Sequence, residues 1–172
     1  DVNEFGKWFD VAASDATTLV EGMFGDYYIP TSVKNLDISY ATYLNDYAFY
    51  KCNMIEQVTL SSANLKELGN YSFYGCSALS TINIPATVDT VHANVFEDCT
   101  GLTSVSGYAG LSYIGVSMFE GCTSLENFNF TDNILEVKQN AFKDCSSLGT
   151  GDLFNVGENY KSTIELNKVA TL

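Results

Sequence analysis

The sequence predicts a repeat solenoid, a stack of short coils that share one continuous core. Two observations carry this. Phenylalanine recurs at positions 49, 73, 96, 119 and 142, and cysteine recurs with the same spacing at 52, 76, 99, 122 and 145. After each Cys comes an apolar position (Ile55, Leu79, Leu102, Leu125, Leu148), followed by an alternating pair such as Val58 and Leu60 or Ile82 and Ile84. A unit of about 23 residues is too small to bury its own apolar side, and stacking neighbours is how such units acquire a core.

The elements follow in order. Residues 1–26 precede the repeat, and Phe5, Trp8, Phe9, Ala12, Ala13, Ala16, Leu19, Val20, Met23 and Phe24 recur at helical spacing, with Asp15 placed to cap the second portion. They predict a capping segment over the first coil, since an open solenoid end exposes core. Residues 27–154 hold about six coils. The first is degenerate, with Tyr27 at the Phe position, Pro30 at the Cys position, and Val33, Leu36, Ile38, Ala41 and Leu44 as its inward residues. In the regular coils the piece L-x-x-I-x-I alternates with period two and reads as a short strand with one inward face. The apolar residues that follow, such as Leu65 and Leu68 or Val88 and Val91, are spaced for tight turns or a short helical turn. Gly107 stands where an inward Ile is expected, and "SGYAG" predicts a local bulge. Residues 155–172 form a separate C-terminal segment: Val156, Glu158 and Lys161 repeat Val2, Glu4 and Lys7, and Thr171 and Leu172 repeat Thr18 and Leu19, as if a further unit starts there. A cap rather than another coil is expected in that stretch.

The stretches "IPATVDTVHANVFEDCTGLTSV" and "FYGCSALSTINIP" resemble the BspA-like leucine-rich repeats, a class of 23-residue units, and the resemblance runs over residues 27–148. It departs from that pattern in the scarcity of proline after the strand, where only Pro85 is at the family position, and in an irregular last unit. The resemblance implies an α/β-type solenoid: a curved, right-handed leucine-rich-repeat coil with one parallel β-sheet on one side and short turns or helical segments opposite. It also implies a secreted or cell-surface microbial protein that adheres to host material or to other cells. The motif is structural and brings no catalytic residues with it.

Composition narrows the chemistry. Eight lysines, no arginine and 21 acidic residues give a net charge of −13, which excludes the basic face that nucleic acid requires. No apolar run is long enough to span a bilayer, and no signal-peptide pattern opens the chain. A first residue Asp1 suggests a processed protein or a piece of a longer one. Asn70 and Asn129 begin N-x-S/T sequons that matter only where the source glycosylates.

The evenly spaced cysteines predict neither disulfide nor metal. Equivalent Cβ atoms one coil apart lie about 4.7 to 4.9 Å apart, beyond the roughly 3.5 to 4.5 Å that a disulfide needs. The five sulfurs would form a line about 19 Å long rather than surround a point, so no zinc site is expected and the thiols read as small buried hydrophobes. His92, the single histidine, reads as a solvated surface residue, and no catalytic constellation or cofactor motif appears. Tyr27, Tyr28, Tyr40, Tyr43, Tyr47 and Tyr50 crowd the early coils, either as an edge of the core, which is the expectation, or as an aromatic binding patch.

The positions that flank the first Ile of each strand point outward. They are Asn35 and Asp37, Gln57 and Thr59, Thr81 and Asn83, Ser104 and Ser106, and Asn127 and Asn129, a short-chained and almost uncharged face. Such a face suits hydrogen bonding to a protein or glycan, with Thr81, Asn83, Ser104, Ser106, Asn127 and Asn129 as the candidate contacts. It equally suits a solvated sheet that binds nothing. The reading from sequence is therefore a noncatalytic binding or adhesion module. The rival is a structural subunit whose ends stack or associate into longer assemblies.

Overall fold

The fold is described from a computed structural model, which covers residues 33–39, 41–130 and 133–148 in full and 19–21 and 28–30 as backbone strands. The strands in chain order are β1 (Leu19–Glu21), β2 (Tyr28–Pro30), β3 (Asn35–Asp37), β4 (Tyr43–Leu44), β5 (Gln57–Thr59) and β6 (Glu67–Leu68). They continue with β7 (Thr81–Ile84), β8 (Thr90–Val91), β9 (Ser104–Gly107), β10 (Tyr113–Ile114) and β11 (Glu136–Val137). From β3 onward the chain is a parallel-strand coil, each turn of which supplies one strand to a main ladder β3-β5-β7-β9. The register follows the repeat, with Leu36 opposite Val58 and Ile82 opposite Val105, so the inward residue of one coil always meets that of the next.

One feature of this coil was not expected. A second parallel ladder, β4-β6-β8, runs alongside the first and is followed by the pair β10-β11, so one sheet becomes two. Of the short turns or helical segments expected, the described residues show turns and no α-helix. Between Leu60 and Phe73 too few residues remain for a helix that is stable by itself, whereas an extended pair such as Glu67 and Leu68 finds a partner in both neighbouring coils.

The core lies between the ladders and the Phe-x-x-Cys turn. Phe49, Phe73, Phe96, Phe119 and Phe142 form one column, with successive centroids 5.2, 5.3, 5.6 and 5.5 Å apart and rings nearly parallel. Leu65, Leu79, Ile84, Val88, Leu102 and Ile114 are fully buried beside it. In the last described coil Phe128 and Phe130 occupy the alternating positions. Phe128 turns its ring against Phe119, at 5.6 Å, and Phe142, at 4.9 Å. The main ladder shrinks there to a single bridge, Ser104 with Asn127.

The Phe-x-x-Cys turn is a third inter-coil contact, and it has a direction. Two residues before each Phe (Tyr47, Tyr71, Asn94, Ser117, Asn140) and two after it (Lys51, Gly75, Asp98, Gly121, Asp144) the backbone is left-handed. This geometry aims the N–H of both residues, and of the Phe between them, at the next coil. Thus Asn94, Phe96 and Asp98 donate to the carbonyls of Val116, Met118 and Glu120 at 2.9, 2.9 and 2.8 Å. The same three positions donate the same way at all four gaps between successive turns, and none of these bonds runs backward. The remaining N–H groups of the turn fold back on it, as Cys99 does on Phe96 at 3.2 Å.

The irregularity at Gly107 differs from the expected bulge. Ile84 pairs one-for-one with Gly107, so no extra residue is inserted. Gly107 is left-handed (φ 85°), and a Cβ there would lie 2.1 Å from the Ile84 carbonyl oxygen. The turn it makes brings Tyr108 inward, where its ring stacks on Phe128 at 4.9 Å and fills the space of the missing Ile. The N-terminal expectation also changes. Leu19 and Val20, read as part of a helical stretch, lie in β1, which pairs antiparallel with β2. Tyr28, Ile29 and Pro30 are thus in an extended strand rather than in a degenerate Phe-x-x-Cys turn, consistent with the strand preference of aromatic and β-branched residues. The expected helix before Leu19, and the expected cap over 155–172, lie outside the described residues.

Candidate binding face

The main ladder holds the outward residues in two rows. Thr81 lies opposite Gln57 on one side and Ser104 on the other, and Asn83 lies opposite Ser106. All of them are exposed while Val58, Ile82 and Val105 between them are buried, the alternation that a half-buried strand imposes. Ser106 Oγ donates to Asn83 Oδ1 at 3.2 Å, so neighbouring coils are also tied through side chains. Asn127 continues the row through its bridge to Ser104. Asn129 is exposed but lies outside the ladder, and its carbonyl oxygen accepts the Tyr108 hydroxyl. Five of the six candidate contacts therefore share one surface, and the sixth stands beside it. Charge on this face is confined to its edge: Asp37 accepts the Ser61 hydroxyl, and Lys34 pairs with Glu56 at 2.6 Å.

A second surface is aromatic. Tyr47 and Tyr50, expected at an edge of the core or as an aromatic patch, stand half-buried on the turn side with Tyr71 and Tyr74 from the next coil. Tyr47 stacks on Tyr71 at 5.1 Å and Tyr50 on Tyr74 at 4.9 Å. The corresponding residues one coil later are Asn94 and Glu97, hydrogen-bonded to each other. A hydrogen bond to Asp98, together with burial, pushes the Tyr74 phenol up to about 12. Burial raises Tyr71 as well, with the charge of Glu97 adding to it. The pairs are 24 residues apart, the spacing of Phe49 and Phe73; what the spacing could not tell was that the left-handed residue before the Phe faces outward.

The reactive side chains are committed elsewhere. All five cysteines are free thiols, and four are buried. Each of those four points its sulfur at the carbonyl of the Phe in the preceding coil: Cys76 at Phe49, Cys99 at Phe73, Cys122 at Phe96 and Cys145 at Phe119, at 3.3, 3.2, 3.1 and 3.0 Å. Burial pushes the Cys52 thiol up to about 11 and Cys145 up to about 12, and Cys76, Cys99 and Cys122 higher still. A thiol so raised supplies no thiolate to attack a substrate or bind a metal. His92 is half-exposed as expected but has a partner, its Nε2 lying 2.5 Å from Glu67 Oε1. The partner is 25 residues away in sequence and becomes a neighbour only through the coil period.

Known proteins resemble this arrangement. The family described as BspA type leucine rich repeat region matches residues 25–149, in 6 copies. Among solved structures, the Treponema pallidum (T. pallidum) leucine rich repeat protein TpLRR is similar with a TM-score of 0.60 at 19% identity, over 80% of this chain and 69% of that one. A leucine-rich repeat protein from Eubacterium ventriosum is similar with a TM-score of 0.57 at 23% identity, over 72% of this chain and 36% of that one. A leucine rich cell surface protein from Faecalibacterium prausnitzii gives a TM-score of 0.51 at 16% identity, over 69% of this chain and 45% of its own. The chain thus spans less than half the length of the latter two. No curated protein matches the sequence.

Proposed function

The chain belongs to the BspA-type leucine-rich repeat family, and on that premise we propose that it is a noncatalytic binding module of a secreted or cell-surface microbial protein, recognising a protein or a glycan through the polar face of its main ladder. The observation that carries this is the row Gln57, Thr81, Ser104 and Asn127, exposed and uncharged on backbone fixed in register, in a chain whose net charge is −13. Keeping charge off one rigid surface of so acidic a protein leaves hydrogen-bonding groups that a neutral glycan or a polypeptide backbone can meet without burying an unpaired carboxylate. The thiols, raised and buried, and His92, paired with Glu67, offer no nucleophile and base in contact.

The test is an array of immobilised glycans and extracellular-matrix proteins, probed with the wild-type chain and with Thr81→Lys/Ser104→Lys. A ligand retained by the wild type and lost by the double variant supports the face. Equal binding by both chains moves the site off the ladder.

A further inference from the structure

On the outer surface of the turn, the tyrosine pairs of two coils give way abruptly to carboxylates. Tyr71 and Tyr74 meet edge to face, with ring centroids 5.7 Å apart and planes at 62°. One coil on, their positions hold Asn94 and Glu97, and Asp98 beside them accepts the Tyr74 hydroxyl. Tyr71, Tyr74 and Glu97 are half-buried and Asp98 is exposed, so an aromatic corner edged by two carboxylates faces solvent. Neither carboxylate has a cation of its own. Lys34 pairs with Glu56, and Lys143 with Glu120 and Asp144, whereas Glu97 and Asp98 stand in no ion pair among the described residues. Burial, with Glu120 and Asp98 adding to it, disfavours the charge of Glu97, and Asn94 and Lys143 offset this only in part. The chain also shows what a lysine does against such rings. Lys138 Nζ lies 3.8 Å from the centre of the Tyr113 ring and Lys51 Nζ 5.2 Å from that of Tyr50, within the range of cation–π attraction. No ammonium group of the described residues stands over Tyr71 or Tyr74.

We propose that Tyr71, Tyr74, Glu97 and Asp98 form a docking site for the lysine side chains of a basic polypeptide segment. A lysine matches the two halves of the site in order: its four-carbon stem covers ring surface while its ammonium reaches a carboxylate one coil on. Lys143 already does the second part within the chain, reaching back one coil to Glu120. The sign of the whole molecule selects the same partner. With 21 acidic residues against eight lysines and no arginine, its field draws in basic chains and repels acidic ones. The turn lies across the core from the main ladder, and the inference is independent of what the sheet face binds.

The test titrates fluorescein-labelled decalysine with the full 172-residue chain and follows anisotropy. Tyr71→Asn/Tyr74→Gln removes the rings without touching the charge, and Asn already stands at the Tyr71 position in later coils, as Asn94 and Asn140. Glu97→Gln/Asp98→Asn removes the carboxylates. Glu126→Gln/Glu136→Gln, which neutralises two exposed carboxylates beside the ladders, controls for net charge. Each site variant is expected to weaken binding about five- to tenfold, and the control to leave it nearly unchanged. Carbodiimide, which condenses an amine with a carboxylate in contact with it, is expected to couple the probe to Glu97 or Asp98, as read by peptide mass spectrometry. Four results would each overturn the proposal: no binding by the wild type in the micromolar range, a ring variant that binds as the wild type does, a control weakened as much as the site variants, or coupling confined to other carboxylates.

Discussion

The thiol of Cys99 donates to the backbone carbonyl of Phe73, one coil earlier, at 3.2 Å. That carbonyl already accepts the N–H of Cys76, and the carbonyls of Phe49, Phe96 and Phe119 are likewise shared between their own turn and the sulfur of the next coil. The cysteine is therefore a small apolar side chain with one weak directed bond. Cys99→Ala is expected to cost about 1 to 2 kcal/mol, and Phe96→Ala, which empties a ring position, about 3 to 5 kcal/mol. Denaturant melts of the two variants would measure both. Reductant should leave the wild-type melting temperature where it is, and a fall on reduction would show bonded thiols.

Ser72 departs from its row. Its counterparts one to three coils away are Ala48, Val95, Met118 and Ala141, whereas Ser72 is fully buried with an Oγ that finds no partner among the described residues. Ser72→Ala removes that desolvated hydroxyl at almost constant volume and is expected to stabilise the chain by about 1 kcal/mol. A melting temperature that falls in this variant would reveal a bond the hydroxyl makes in solution.

Gly121 occupies one of the left-handed positions, at φ 75°, and a Cβ there would come within 2.4 Å of Asp98 Oδ1. Gly121→Ala is expected to lower stability by about 1 to 2 kcal/mol, from backbone strain before any contact is counted. Circular-dichroism melts against the wild type would read it, and an unchanged midpoint would mean that the turn relaxes out of the left-handed region.

Two carboxylates on adjacent turns are displaced in opposite directions. Burial holds Glu97 above the usual carboxylate range, with Glu120 and Asp98 adding to that and Asn94 opposing it. Burial also pushes Glu120 up, but hydrogen bonds from Lys143 and Ser117 outweigh it and leave Glu120 below its usual value. The native state therefore holds the Glu97 proton more tightly than the unfolded chain, so ionising Glu97 as pH rises weakens the fold. Glu120 contributes stability above the ordinary carboxylate range that is lost as pH falls through its lowered value. Glu97→Gln should raise the melting temperature at neutral pH, with the gain fading in acid, and Glu120→Gln should lower it at neutral pH. Melts across the acid range decide it, and a Glu97→Gln gain that persists in acid would point to packing rather than charge.

On the sheet face, Thr81→Lys and Ser104→Lys place two ammonium groups on residues directly opposite each other in the ladder. Their side chains are exposed, so the unfolding midpoint should move only by the few tenths of a kcal/mol expected for adjacent like charges. Comparison of its melt with its array binding separates loss of ligand from loss of fold.

Much of the coil was legible because its period is written in large apolar residues. Phe73, Phe96 and Phe119 announced a column, and Ile82 opposite Val105 followed from the alternation. The second ladder was hidden because strands such as Glu67–Leu68 are two residues long and alternate too briefly to show a period. The turn was hidden for another reason. Of its ten left-handed sites only two are Gly, with Tyr, Asn and Asp at two each and Lys and Ser at one each, so glycine does not mark them. Tyr47 was left between an edge of the core and an aromatic patch for the same cause, since a side chain's direction there depends on a backbone angle that the sequence does not display. Of the candidate face, the rows were readable down to individual residues. The loss of Asn129 from the ladder was not, because it follows from how Phe128 and Phe130 turn in three dimensions.

Since the three hydrogen bonds that carry each turn to the next coil run between main-chain groups, the side chains on its outer surface take no part in those bonds. Two coils carry paired tyrosines there, and the next two carry Asn94 with Glu97 and Ser117 with Glu120, on the same hydrogen-bonded frame. Point changes at these sites can therefore rewrite the surface one coil at a time, from aromatic to acidic or neutral, while the spacing of the positions stays constant. A lineage that must alter what its exterior looks like, and keep its shape, has in this arc a place to vary.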